Sequence, residues 1–228
     1  MFNLTNSMEI NVLTPNVDMG AVSNFAVKNR CPAVVAMPEL IPMMMVDRAA
    51  KHGQYKLIAA IDFPDGRNYC LDKFKSIEVG SLGADGMDII MTKGRTHVES
   101  KNEAKTLIEF LKGHLGPLLD IRFVFGCYST EWKTIENFLD AAADHPPNMI
   151  RIDQHLSVPN MKFKTHKNMI GALRKRTPKR LKVSGDIDLG MIEALRKIDK
   201  NLVFDVSLHQ ATHILNQVKQ RSLATGDN

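Results

Sequence analysis

Short apolar, β-branched runs alternate along the chain with longer segments whose apolar residues recur every three or four positions. Ile10–Leu13, Ala33–Met37, Lys56–Ile61, Gly86–Met91, Ile121–Phe125, Asn148–Ile152, Leu181–Val183 and Leu202–Val206 read as strands. Between and after them come helical segments: Val17–Lys28, a stretch entered through Pro38 and Pro42 that runs to about His52, Leu71–Leu82, Lys101–Lys112, a segment capped by Thr130 that runs to Ala143, His166–Lys175, Leu189–Lys197 and Leu208–Gln220. Asp188 suits a helix N-cap, Glu131 and Glu136 suit first turns, and Gly83 suits a helix stop. Pro64-Asp65-Gly66 is a turn signal, and the polar tail after Ser222 is expected to fray.

Strict alternation of eight strands with eight helices implies a parallel sheet with right-handed crossovers. Eight units favour closure into a (β/α)8 TIM barrel over an open sheet, and about 200 residues are needed for one. The chain has 228 residues, 44% of them hydrophobic and 24% charged, so residues 1–228 are expected to form a single domain. No G-x-G-x-x-G follows the first strand, which removes the commonest dinucleotide-binding alternative.

Charge and cysteine usage narrow the setting. A net charge of +5 favours anionic small molecules or weak nucleic-acid contact. Cys31, Cys70 and Cys127 are odd in number and widely spaced, as in a reducing compartment. No leader-like start and no apolar run of about 20 residues is present, so a cytoplasmic protein without membrane contact is expected. Arg174-Lys175-Arg176, with Lys179 and Arg180, is the densest basic run; a solvated turn is its plainer reading, phosphate-backbone contact the alternative, and nucleic acid is not the expected partner. His209 and His213 lie one helical turn apart, but neither an H-E-x-x-H nor a third ligand accompanies them. His97, His155 and His166 are isolated, so no metal and no cofactor is expected. Met43-Met44-Met45 cannot all face one side of a helix, a hint of a homo-oligomer contact.

In such a barrel chemistry sits at the C-terminal strand ends. Polar residues expected there are Asp62, Asp88, Thr92, Arg122, Arg151, Asp153, Lys182, Ser184, Asp205 and Ser207. Asp88, Arg151 and Lys182 each interrupt an apolar strand, where an ion must be paired or serve chemistry. A buried Lys182 would have a depressed pKa and could act as a nucleophilic amine, with Asp88 moving protons. The plainer alternative is an ion pair from Lys182 to Asp88 or Asp153. Arg151 stays charged, so it can hold an anion or depress a neighbouring lysine but cannot form an imine.

The segment from Ile61, I-D-F-P-D-G-R-N, and the later L-G-A-D-G-M-D-I-I containing Asp88 resemble the deoxyribose-phosphate aldolases of the DeoC type. That family has a G-F-P-x-G turn after its third strand and a catalytic aspartate in G-A-D-E-I-D. Ala33–Pro42, A-V-V-A-M-P-E-L-I-P, is similar to its second strand and turn. Leu181–Gly185, L-K-V-S-G, is similar to its V-K-A-S-G-G, whose lysine tunes the site. The resemblance runs in register from about Glu9 to Ser207. It implies Asp88, Lys182 and Arg151 as catalytic positions. Ser184, Gly185, Ser207 and Arg122 are the expected substrate-binding residues, for a small aldehyde or sugar-phosphate-like ligand.

The departures fall on the chemistry. The family's imine-forming lysine lies in F-I-K-T-S-T-G, and Met149-Ile150-Arg151-Ile152-Asp153-Gln154 puts Arg151 in its place. Glycines of the phosphate cradle are replaced in Gly185-Asp186 and Asp205-Val206-Ser207-Leu208, where carboxylates would repel phosphate. One reading is a divergent class I aldolase with Lys182 as the imine-forming amine. The alternative is an inactive aldolase-fold barrel that binds a ligand or a partner protein. An Arg151–Asp88 ion pair would favour the alternative.

Overall fold

The computed structural model describes residues 4–14, 16–61, 77–91, 105–106, 109–111, 113–114, 120–126, 132–141, 147–153, 164–177 and 180–225. Eight parallel strands close into a barrel in chain order: β1 Met8–Val12, β2 Ala33–Ala36, β3 Lys56–Ile61, β4 Gly86–Met91, β5 Asp120–Gly126, β6 Met149–Asp153, β7 Arg180–Ser184 and β8 Val203–Ser207. The helices with complete bounds are α1 Met19–Asn29, α2 Ile41–Ala50, α3 Trp132–Ala141, α4 Lys164–Arg176, α5 Leu189–Arg196 and α6 Leu208–Thr225. Residues 77–81 are also helical.

Local signals in the sequence place several ends. The Asp18 carboxylate accepts from the Ala21 N–H at 3.0 Å and starts α1, and Asp188 accepts from the Met191 N–H at 2.7 Å to start α5. Gly83 takes φ +89° just past the helical residues 77–81, and a Cβ there would meet the Met45 sulfur. Other boundaries move by one or two residues. β1 begins at Met8 rather than Ile10, β5 at Asp120 rather than Ile121, and β6 ends at Asp153 rather than Ile152. The last helix, expected to end at Gln220, continues to Thr225. Asp62, Thr92, Pro64-Asp65-Gly66, Thr130, Glu131, Gln154, Cys70, Cys127, His97 and His155 lie outside the described residues.

Strand alternation sorts side chains into two sets. Val34, Leu57, Met87, Phe123, Ile150, Leu181 and Phe204 face outward and join the core beneath the helices. The inward set is read from the register: Val35 pairs Ile58, Ala60 pairs Asp88, Asp88 pairs Arg122, Arg151 pairs Lys182, Ser184 pairs Asp205, and Asp205 pairs Glu9. Inside the barrel, Ala33, Val35, Ile58 and Ala60 form a small apolar cluster of their own on β2 and β3. The remaining strands point ions inward.

Candidate active site

The interior ions come from β1, β4, β5, β6, β7 and β8, all at most 8% exposed: Glu9, Asp88, Asp120, Arg122, Arg151, Asp153, Lys182 and Asp205. Removing such groups from water costs several kcal/mol each unless they are paired and hydrogen-bonded. The pairing is dense. Lys182 Nζ donates to Asp88 Oδ2 at 2.9 Å and to Glu9 Oε2 at 2.8 Å, and lies 3.2 Å from Asp205 Oδ2. Arg151 spreads its fork over three partners: Asp88 Oδ2 at 2.8 Å, Asp153 Oδ2 at 2.5 Å and the Ser184 hydroxyl at 2.9 Å. Asp205 is held by Asn11, whose amide donates to Oδ1 at 2.5 Å, and its Oδ2 lies 3.1 Å from Arg151.

Deeper in the barrel, Arg122 donates to Glu9 Oε2 at 2.7 Å and to Asp120 Oδ2 at 2.8 Å. Asp120 also pairs with the half-exposed Lys56 at the rim where the strands begin. Ion pairs thus run without a break from Lys56 through Asp120, Arg122, Glu9, Lys182 and Asp88 to Arg151 and Asp153. Four buried atoms of these ions, Asp88 Oδ1, Asp120 Oδ1, Arg122 Nε and Asp205 Oδ2, have no hydrogen-bond partner among the described residues.

This pairing sets the protonation states. Burial pushes the Asp88 carboxyl up, but Lys182 and Arg151 outweigh it and hold it well below the usual carboxylate range. Glu9 is likewise lowered, because Arg122 and Lys182 outweigh its burial. Burial alone would lower Lys182; Asp88, Glu9 and Asp205 overcome it, with Arg122 opposing, and the ammonium is held above its ordinary value. The expectation of a depressed lysine is therefore corrected. Carboxylates on three strands surround the amine, and they outweigh the one neighbouring guanidinium that counts against them.

The expected site residues divide by height in the barrel. Asp88, Arg151, Lys182 and Asp205 each stand third in their strand, at mid-barrel, and they do converge. Asp153 and Ser184 end their strands at the C-terminal mouth. Arg122 is corrected: it is third of seven residues in β5 and its contacts lie toward the N-terminal end, not at the mouth. Asp205 does not line the turn after the last strand; it points inward to Lys182 and Arg151. The Lys182 partner is Asp88, while Asp153 binds Arg151.

At the mouth, the two turns that stand where the resembling family has its phosphate cradle are tied to one another. The Ser207 hydroxyl accepts from the Gln210 N–H at 3.2 Å, and Gln210 Oε1 accepts from the Ser207 N–H at 2.9 Å, a reciprocal cap on α6. Gln210 Nε2 also donates to the Gly185 carbonyl at 2.9 Å, tying the turn after β7 to the start of α6. Asp186 beside it is exposed. Glu9, Asn11 and Asp120 were missed in the sequence. Taking β1 to start at Ile10 excluded Glu9, and starting β5 at Ile121 excluded Asp120. The alternation of Glu9 and Asn11 in M-E-I-N-V was the signal that could have found the first two.

Among the described residues no group of three His, Cys, Asp or Glu is placed to hold a metal ion, and no helix is long and apolar enough to cross a membrane. His209 and His213 are both exposed. Met44 is buried while Met43 and Met45 face outward, as their succession required.

A closed eight-stranded parallel barrel wrapped by helices, with a buried lysine and aspartate in contact at its centre, defines a (β/α)8 TIM barrel with an ionic interior. No protein-family model and no curated protein matches the chain. Solved structures do. The tetrameric deoxyribose-phosphate aldolase of Aeropyrum pernix superposes with a TM-score of 0.74 at 15% identity, over 95% of this chain and 91% of that one. A Toxoplasma gondii protein provisionally assigned as a deoxyribose-phosphate aldolase gives 0.74 at 17% identity, over 94% of each chain. A Coccidioides immitis protein with the same provisional assignment gives 0.79 at 11%, over 95% of this chain and 86% of that one. The fold is that of the deoxyribose-phosphate aldolases.

Proposed function

We propose that this chain is an aldolase-fold barrel that has given up imine chemistry, residues 1–228 acting as one domain that binds a small ligand or a partner protein. The observation that carries this reading is the state of Lys182. Its amine is wholly buried, within 3.2 Å of three carboxylates, and held as an ammonium without a free lone pair. Imine formation needs a neutral primary amine in reach of a carbonyl. Arg151, where the resembling family has its imine-forming lysine, supplies none.

Arg151 also has little left for an anionic ligand, since Asp88, Asp153 and Ser184 occupy its fork. The engaged turns around Gly185 and Ser207 argue in the same direction. A neutral carbonyl or polyol at the mouth suits this site better than a sugar phosphate. The tetrameric Aeropyrum pernix neighbour, together with the exposed Met43 and Val46 on α2, supports a homo-oligomer. A reducing, cytoplasmic setting fits the buried free thiol of Cys31.

The second reading keeps Lys182 as the imine-forming amine, and the 2.9 Å contact with Asp88 favours it, because an amine and a proton carrier then stand side by side. Borohydride reduction in the presence of acetaldehyde decides between them, with a class I aldolase as positive control. We expect intact protein mass and unmodified Lys182 by peptide mapping. An ethyl group on Lys182 would establish the aldolase reading instead.

A further inference from the structure

At the end of the barrel away from this site, where the strands begin and the helices end, one sector carries a concentration of positive charge. It is formed by the last turn of α4, the start of β7 and the connection from α5 to β8. Basic residues at helix C-termini are ordinary complements of the helix dipole, and Arg174, Lys175 and Arg176 occupy the last turn of α4. What sets this sector apart is how its charges are shared. Arg174 is bonded to Asp199, and Arg176 donates to Glu136 at 2.7 Å. Lys175, Arg180, Lys197 and Lys200 are exposed, and among the described residues none of the four is in an ion pair.

The acids among the described residues nearby are already engaged: Glu136 with Arg176, and Glu193 of α5 with Arg221. Asp199, the carboxylate at this end of the α4-to-β8 stretch among the described residues, is 8% exposed and is occupied by Arg174 and by the Asn201 N–H at 2.9 Å. Asp186 and Asp188 of the same units lie at the opposite rim, past the end of β7. Exposed Asp140, near the end of α3, bounds the sector on its other side.

The surface also says which polyanion fits. An anionic membrane is bound most firmly by basic faces that carry apolar residues to insert. None of the exposed large apolar residues lies on α4, β7, α5 or β8; Leu223, on α6, is the one on an adjoining element. The stretch Arg174–Asn201 contains no aromatic residue, so bases of a single strand find no stacking platform. What remains is a set of flexible and forked cations suited to phosphates. We infer that this rim binds the phosphate backbone of duplex nucleic acid without reading its sequence. The sequence run alone favoured a solvated turn; the pairing of Asp199 inward and the convergence of Lys197 and Lys200 from a different segment change that.

Fluorescence anisotropy of the full chain with a labelled mixed-sequence duplex tests it. Four phosphate contacts give a log–log salt slope of about −3.6, so affinity falls roughly a hundredfold between 50 and 200 mM KCl. Arg180→Glu is expected to weaken binding at least about fivefold and flatten the slope by about one unit. Lys105→Glu, with the same change in net charge but placed on helical residues 105–106, is expected to leave binding nearly unchanged. Both variants keep the far-UV spectrum and melting temperature of the parent. No binding at 50 mM KCl, equal losses in the two variants, or binding to phosphatidylserine vesicles but not to duplex would overturn the inference. None of these outcomes bears on Lys182, so the proposed function stands or falls separately.

Discussion

Two walls face one another inside the barrel. On β2 and β3, Ala33, Val35, Ile58 and Ala60 fill the interior with small apolar groups that need no partner. On β4 to β8 and β1, Asp88, Arg122, Arg151, Lys182, Asp205 and Glu9 fill the same kind of space with ions, each of which depends on another strand. Both walls are fully removed from water. Their energetics differ in kind. The apolar wall contributes roughly in proportion to area, and its losses are local. The ionic wall gains little over an apolar equivalent while intact, but losing one member leaves the others buried and unpaired. Such a wall specifies partners rather than adding stability, so its residues are costly to replace singly.

The largest effect expected from this contrast is at Lys182. Lys182→Met takes one cation from Asp88, Glu9 and Asp205, leaves them only Arg151 and Arg122, and should cost about 3–5 kcal/mol in urea unfolding. Adding Glu9→Gln should recover part of the loss, because one of the stranded charges is then gone; equal or additive losses in the double variant would contradict the coupling.

An intermediate effect lies in pH. Asp88 and Glu9 are held below their ordinary values of 3.8 and 4.5, so the stability they contribute is present above those values and is lost as pH falls through the folded ones. Lys182 is held above 10.5, so its contribution is present below that value and is lost as pH rises through the folded one. The urea midpoint should therefore be flat between about pH 5 and pH 8 and fall on both sides; the alkaline limb begins as the Cys31 thiol, pushed up to about 12 by burial, ionises in the unfolded chain, and it should be shallower in Lys182→Met. The smallest effect belongs to the apolar wall. Ile58→Val should cost about 0.5–1.5 kcal/mol, equally at every pH across that range. A pH-dependent loss there would mean that the two walls are not separate.

The outward face of the barrel was legible in the sequence because alternation and turn chemistry act locally; Asp188, Gly83 and the strand at Lys56–Ile61 fell where residue type alone put them. The ions were legible as anomalies within apolar runs, and Asp88, Arg151 and Lys182 were found that way. Their pairing with one another was legible, but their partners on β1 were not. Glu9 is 173 positions from Lys182 and Asp205 is 194 from Asn11, and nothing local announces such pairs. The sign of the Lys182 shift went wrong for the same reason: Asp88 and the cation next to Lys182 in register were visible, while Glu9 was not and Asp205 was read into the turn after the last strand.

The account rests on the charge of one amine. Lysine methyl-free labelling with ¹³C and ¹⁵N, assigned by comparison with Lys182→Arg, would follow the Lys182 Nζ through an alkaline titration. The account predicts an ammonium that persists above its ordinary pKa of 10.5. A midpoint well below that value would show a neutral, nucleophilic amine at mid-barrel and would contradict the account.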